Sequence, residues 1–235
     1  MSQGVLETLF DGKQPPLIMF DLDGTLLDSA PDLAAAVDAM LETLGRPPAG
    51  LDKVRLWIGN GARVLVRRAL ADQMEHSHIT EAEADEALSL FMSLYGGSHE
   101  LTVVYPGVQE ALATLKAKGI AMAVITNKPE RFVGPLLDDM QLGDFFSWIV
   151  GGDTLPQQKP DPAGLLYVMG KAGAKPDDAL FIGDSRNDIR AARAAGVRCV
   201  AMTYGYNHGQ PIADESPDWL LDDLRQLLAD RKSVV

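Results

Sequence analysis

The sequence predicts an α/β fold in which a doubly wound parallel sheet is interrupted, after its first strand, by an all-helical insertion. Two patterns predict it. From residue 105 onward, apolar runs of strand length alternate with helical patterns of roughly 10–15 residues, as in a parallel sheet with helices on both faces. From residue 30 to about residue 101 the apolar spacing is helical throughout, without the β-branched runs of a buried strand. A third observation concerns chemistry. Several strand-like runs end in acidic or hydrogen-bonding residues, and open α/β sheets bind ligands at the carboxyl ends of their strands.

Residues 1–16 end in Gln14-Pro15-Pro16 and read as an arm, ordered or flexible, ahead of the first strand. Leu17-Ile18-Met19-Phe20 is the short apolar run of a buried parallel strand. It delivers Asp21 and Asp23, then Gly24. Asp is a poor strand former, so two of them at the end of a buried strand are costly. Alternation puts both carboxylates on one side of the extended chain, and Gly24 lets the backbone turn sharply away. Ser29 is placed to cap a helix, with Pro31 in its first turn and Leu33–Leu44 continuing it. Gly45-Arg46-Pro47-Pro48 ends that helix. Leu51–Trp57, Ala62–Ala71 and Glu81–Tyr95 supply the other helical pieces of the insertion, which at roughly 70 residues has the size of a small domain.

Past Tyr105-Pro106-Gly107 the alternation begins. Helix Val108–Lys118 stops at Gly119 and strand Ile120–Ile125 follows. Helix Glu130–Met140, strand Trp148–Val150, helix Ala163–Lys171 and strand Ala179–Ile182 come next. Helix Asn187–Ala195 and strand Val197–Met202 complete it. The expected division is a Rossmann-like core of residues 1–29 plus 105–235, which carries the site, and a helical cap of residues 30–104.

Composition narrows the function classes. The chain has 235 residues, 46% of them hydrophobic, enough for a substantial core. A formal net charge of −12 argues against a nucleic-acid or anionic-membrane surface. No stretch approaches the roughly 18 uninterrupted apolar residues of a membrane span, and no basic region followed by an apolar run opens the chain. Cys199 is the only cysteine, which points to a reducing compartment; its apolar setting suits a buried strand residue better than a nucleophile. The expectation is a cytoplasmic protein, monomer or homodimer, with no nucleic-acid or membrane partner.

Asp21 and Asp23 alone could end a strand in an Asx turn, both solvated. If they face one site, like charges so close need a cation between them or a shared proton. Strand 120–125 runs into Thr126-Asn127, a hydroxyl and an amide just ahead of a helix. With the free helix N–H groups these could cradle phosphate oxygens; equally, Thr126 could simply cap the helix. Lys159 follows the end of another strand, marked by Gly151-Gly152-Asp153, and stands before Pro160. The strand at 179–182 leads into Gly183-Asp184, with Asp188 one turn into the next helix on the face nearest Asp184.

Taken together, Asp21-Leu22-Asp23-Gly24-Thr25-Leu26-Leu27-Asp28-Ser29, Thr126, Lys159 and Gly183-Asp184-x₃-Asp188 resemble, in order, the four motifs of the haloacid dehalogenase-like superfamily. Most members are Mg²⁺-dependent phosphatases. The resemblance runs from Leu17 to Met202. Trp57-Ile58-Gly59-Asn60-Gly61-Ala62 and Thr203-Tyr204-Gly205-Tyr206-Asn207 are similar to stretches of its phosphoglycolate phosphatase branch.

That resemblance implies an aspartyl-phosphate mechanism. Asp21 would be the nucleophile, Asp23 the acid that protonates the leaving oxygen and then the base for water, and Thr126 and Lys159 the other catalytic groups. Mg²⁺ would be held by Asp21, the Asp23 carbonyl and Asp184, with Asp188 orienting a metal-bound water or Lys159. Thr126 and Asn127 would bind phosphoryl oxygens. The substrate would be a small anionic phosphate ester such as 2-phosphoglycolate.

Within the cap, Lys53, Arg55, Arg63, Arg67 and Arg68 face a single acid, Asp52, between positions 52 and 68. Arg67 and Arg68 read as a solvated helix face. Arg63 reads equally as solvated or as a substrate contact. Gly59, Asn60 and Gly61 form a compact turn whose N–H groups could meet an anion when the cap closes. Gly59, Asn60 and Arg63 are therefore the cap's candidate substrate-binding residues. A sugar-phosphate phosphatase, such as one acting on N-acetylmuramic acid 6-phosphate, remains open, because the cap sets substrate choice. A phosphomutase shares the core chemistry and product analysis would separate it. A silent binding module would be expected to have lost Asp21 or Asp23.

Overall fold

Leu17–Phe20 is buried along its whole length, and the sheet assembles around it. The structure, a computed structural model, describes residues 4–96 and 99–228. Residues 1–3, 97–98 and 229–235 of the expected spans lie outside the described residues. The chain begins with helix α1 (Val5–Leu9) and strands β1 (Leu17–Phe20) and β2 (Leu27–Asp28). Helices α2 (Ala30–Thr43), α3 (Leu51–Trp57), α4 (Gly61–Ala71) and α5 (Glu81–Tyr95) follow, then strand β3 (Val103–Val104). The alternating part comprises α6 (Val108–Ala117), β4 (Ala121–Ile125), α7 (Glu130–Asp139), β5 (Trp148–Val150) and α8 (Ala163–Ala172). It continues through β6 (Ala179–Gly183), α9 (Arg186–Ala195), β7 (Arg198–Met202) and β8 (Trp219–Leu221).

Six strands form one parallel sheet in the order β5-β4-β1-β6-β7-β8. Phe20 stands opposite both Val124 and Ile182. From β1 the chain builds β4 and β5 on one side, then returns to start β6 on the other. The strand order reverses at β1, which opens a crevice outside the carboxyl ends there. The register brings Asp21, Thr126 and Asp184 to that one edge.

Side chains alternate across the sheet. Ile18, Phe20, Val124 and Ile182 pack on one face with Leu112 of α6 and Leu136 of α7. Met19, Ile125 and Phe181 pack on the other with Leu165 of α8 and Ile189 of α9. Within the arm, Val5, Leu6 and Phe10 are buried against the first of these faces. Helices α2–α5 have a core of their own, built from Val37, Met40, Val54, Val66 and Phe91 among others, which Phe132 and Tyr206 join from outside. Full burial of a side chain such as Phe91 contributes about 1.5–3 kcal/mol. The Thr80–Glu83 capping box starts α5.

Three features depart from the expectation. Strands β2 and β3 pair antiparallel where the chain passes between sheet and cap, and β8 extends the sheet beyond β7. These strands are two or three residues long, too short for periodicity to show; distant partners define them. Arg67 and Arg68 do not form a solvated face. Arg68 is buried and donates to the Trp57 carbonyl at 2.6 Å, with its pKa lowered by desolvation. Arg67 donates to the Ile79 carbonyl at 2.5 Å. Both stems pack inward while the guanidinium heads tie α4 to neighbouring backbone.

Candidate active site

Asp21 follows directly on β1, and its N–H donates to the Ile182 carbonyl at 2.8 Å, which continues the pairing with β6. Its side chain enters a buried cluster. The Lys159 ammonium lies 2.8 Å from Asp21 Oδ1 and 2.6 Å from Asp188 Oδ1. Asp188 is the third residue of α9. Its other oxygen accepts from the Ser185 N–H at 2.9 Å and the Ser185 hydroxyl at 2.6 Å, a capping box. The cap and the lysine contact are the same residue's two oxygens.

Asp184 is fixed on both oxygens as well. Oδ1 accepts from the Thr25 hydroxyl at 2.8 Å and Oδ2 from the Tyr206 N–H at 2.5 Å. Gly24, at φ +87°, and Gly205 leave room for it: a Cβ on Gly24 would stand 2.3 Å from Asp184 Oδ2, and one on Gly205 2.2 Å.

Ligand oxygens of Asp21, Asp184 and Asp188 lie within 4.8 Å of one another. Three buried carboxylates thus lie together, and the Lys159 ammonium pairs with two of them, Asp21 and Asp188. Desolvation, partly offset by Lys159 and reinforced by Asp188, pushes Asp21 up to about 7. Desolvation followed by Asp188 and Asp21 raises Asp184 well above the carboxylate range. Burial alone would lower Lys159, but Asp188 and Asp21 outweigh it and hold the ammonium protonated. Asp21 Oδ1 meets no other donor than the Lys159 ammonium. Hard oxygen donors within 4.8 Å of one another and an excess of negative charge are what a divalent cation site requires, so these residues fit such an ion.

Asp23 faces a different set. Its Oδ1 accepts from the Ser29 hydroxyl at 2.5 Å and from the Lys128 ammonium at 3.0 Å. Ser29 does stand at the N-cap of α2, yet its hydroxyl serves Asp23 and makes no capping bond. Thr126 is buried and accepts from the Lys128 N–H at 3.2 Å, so it shapes the turn after β4 and does not cap α7, whose N-cap is Pro129. Asn127 Nδ2 donates to the carbonyls of Lys159 (2.9 Å) and Gly59 (3.0 Å).

Above this edge lies a cavity of about 50 Å³, room for a few water-sized groups. Asp21, Asp23, Thr126, Asn127 and Lys128 line it from the sheet side, and Gly59, Gly61, Leu65, Phe91 and Tyr95 from the cap. Gly59, at φ +117°, accepts at its carbonyl from both Asn127 and Asn187 (3.0 Å each), so the cap turn rests directly on the site. The structure therefore brings Asp21, Asp23, Thr126, Asn127, Lys159, Asp184 and Gly59 together. It does not bring Asn60 or Arg63 to the cavity wall. Arg63 turns outward, 43% exposed, to Glu81 at 2.5 Å and Asp85 at 2.7 Å, and Asn60 contributes only a carbonyl to Gln158. Those two acids on α5 account for the arginine: a helix-to-helix ion pair needs no substrate.

Sequence reasoning passed over Lys128 and Asn187. Each had a signal, since Lys128 follows Thr126-Asn127 and Asn187 stands between Asp184 and Asp188. Both looked like ordinary helix-start residues.

The family model described as haloacid dehalogenase-like hydrolase matches residues 18–202. Phosphoglycolate phosphatase 1 of Pseudomonas aeruginosa is 67% identical over 222 residues, 94% of this chain and 82% of that protein. A phosphoglycolate phosphatase of Pseudomonas putida is 66% identical over the same shares. Among solved structures, a predicted phosphoglycolate phosphatase from Haemophilus somnus superposes with a TM-score of 0.84 at 43% identity, covering 92% of this chain and 97% of that one. No described helix is long and apolar enough to cross a membrane. A parallel sheet carrying acidic strand ends under a helical cap, a family match across that whole region and relatives at this identity lead to one statement: the chain belongs to the haloacid dehalogenase-like hydrolase family and is a phosphatase of it.

Proposed function

We propose that the protein hydrolyses 2-phosphoglycolate to glycolate and phosphate, in a Mg²⁺-dependent reaction through an aspartyl-phosphate on Asp21. The observation that carries this reading is the division of labour at the sheet edge. Asp21 stands with Lys159, Asp184 and Asp188 on one side, while Asp23 stands apart with Ser29 and Lys128. Two carboxylates in distinct surroundings suit two distinct roles. The names borne by the relatives supply the substrate.

Asp21 attacks phosphorus, and the bond to the ester oxygen breaks. Asp23 gives its proton to the departing oxygen and then takes one from the water that cleaves the acyl phosphate. Thr126 and the Asn127 N–H hold phosphoryl oxygens, and Lys159 offsets the charge on Asp21 and the phosphate. Bound Mg²⁺ would be held by Asp21, Asp184 and the Asp23 carbonyl, and would neutralise developing charge on the phosphoryl group. Asp188 positions Lys159. Residues 30–104 act as the cap, and Gly59 closes over the site and excludes water.

Phosphate release from a panel of esters, with Asp21→Asn as control, tests the reading. A strong kcat/KM preference for 2-phosphoglycolate, lost in the variant, supports it. A preference for sugar phosphates overturns the substrate, and no release from any ester overturns the reaction.

A further inference from the structure

With Arg63 committed to Glu81 and Asp85, an anionic substrate tail needs another counter-charge. The cavity offers one. Lys128 is the only cation on its wall among the described residues, and its side chain is 3% exposed in a lining that is otherwise largely apolar. Burying an ammonium is costly, and one partner does not exhaust it. The group has three donors, and Asp23 takes contacts at 3.0 and 3.2 Å. Asp23, with Tyr95 beside it, outweighs the lowering effect of burial, so Lys128 stays charged.

Tyr95 is the second, independent observation. Its ring lies under Lys128, with Nζ 4.8 Å from the centroid, and its buried hydroxyl faces that ammonium with no acceptor for its own proton. A buried O–H with no acceptor is rare. Lys128 and Tyr95 both line one small cavity, and between them they offer a cation and an O–H donor, the two groups a carboxylate requires.

Resting on the phosphatase reading above, we propose that Lys128 and the Tyr95 hydroxyl bind the carboxylate of the substrate, and that this pair selects short phosphorylated hydroxy acids over neutral esters. Connectivity agrees. In 2-phosphoglycolate the carboxylate is one methylene beyond the ester oxygen. Asp23, which addresses that oxygen, is one hydrogen bond from Lys128. Phe91 and Phe132 line the same cavity.

The test compares two esters with the same two-carbon chain, 2-phosphoglycolate and 2-hydroxyethyl phosphate, in wild type, Lys128→Gln and Tyr95→Phe. The readout is the ratio of their kcat/KM values, which is insensitive to any loss common to both. Lys128→Gln is expected to collapse the wild-type preference by roughly tenfold to a hundredfold, as for a charge-assisted contact. Tyr95→Phe, which keeps the Lys128–Asp23 pair and the ring, is expected to reduce it several-fold, mainly through KM. It also serves if Lys128→Gln does not fold. A wild-type preference for 2-phosphoglycolate that survives in both variants overturns the inference and leaves the phosphatase reading standing. A wild type that turns over both esters equally overturns the carboxylate preference itself, and with it both the inference and the proposed substrate.

Discussion

Lys159 stands 2.6 Å from Asp188 and is almost wholly buried there, so a helix-capping carboxylate also aims the ammonium at Asp21. Breaking a buried pair by removing one partner leaves uncompensated charge and costs about 3–5 kcal/mol. Lys159→Met is expected to lose stability on that scale and to lower kcat by roughly a hundredfold to a thousandfold. Urea denaturation and steady-state kinetics read the two effects separately.

The pH dependence of the metal-free protein has a defined sign. Asp21 is raised from 3.8 to about 7, and Asp184 moves the same way. A group whose folded pKa is raised stabilises the fold fully below its unfolded pKa, and that contribution is lost as pH climbs through the folded value. Between about pH 4 and pH 7 the metal-free protein should therefore become less stable, and Asp21→Asn should flatten the trend. Mg²⁺ needs the ionised carboxylates, so it should raise Tm strongly above about pH 7 and little near pH 5. Thermal melts with and without the ion measure this.

Exhaustive chelation should abolish turnover, because three carboxylates beside a phosphate repel it. Restoring Mg²⁺ should return the activity in full. Rates that persist after chelation would count against the metal requirement.

Gly24 sets the Asp184 carboxylate. With φ at +87° and a Cβ that would come within 2.3 Å of Asp184 Oδ2, Gly24→Ala must displace either the turn or the carboxylate. The Mg²⁺ concentration for half-maximal activity should rise at least about tenfold, as for lost ligand support.

Asn187→Ala removes one of the two donors that seat Gly59 on the site. The loss of a hydrogen bond of about 1 kcal/mol should reduce kcat/KM by about fivefold without a matching loss of stability, read by kinetics and melts on one preparation.

Much of the fold was legible because it rests on periodicity. The run Leu17-Ile18-Met19-Phe20 and its acidic terminus place β1 and the sheet edge, and α3 and α5 have the bounds their spacing implies. What was not legible depends on distant partners. Strand β8 exists because Leu221 pairs with Met202, and the β2–β3 ladder because Leu27 meets Val104. The cap arginines show the same limit. Glu81 and Asp85, about one helix away, decide where Arg63 points, and the Trp57 carbonyl decides Arg68. Lys128 escaped for a related reason: a lysine after Thr-Asn looks solvated until Tyr95, from the end of α5, is seen beneath it.

Rapid acid quench during turnover of 2-phosphoglycolate, followed by peptide mapping by mass spectrometry, captures the covalent intermediate. A phosphoryl group is expected on Asp21, acid-stable and labile to hydroxylamine, and none in Asp21→Asn. Phosphate released at full rate with no phosphoryl group ever on Asp21, or with one on a different residue, would contradict it.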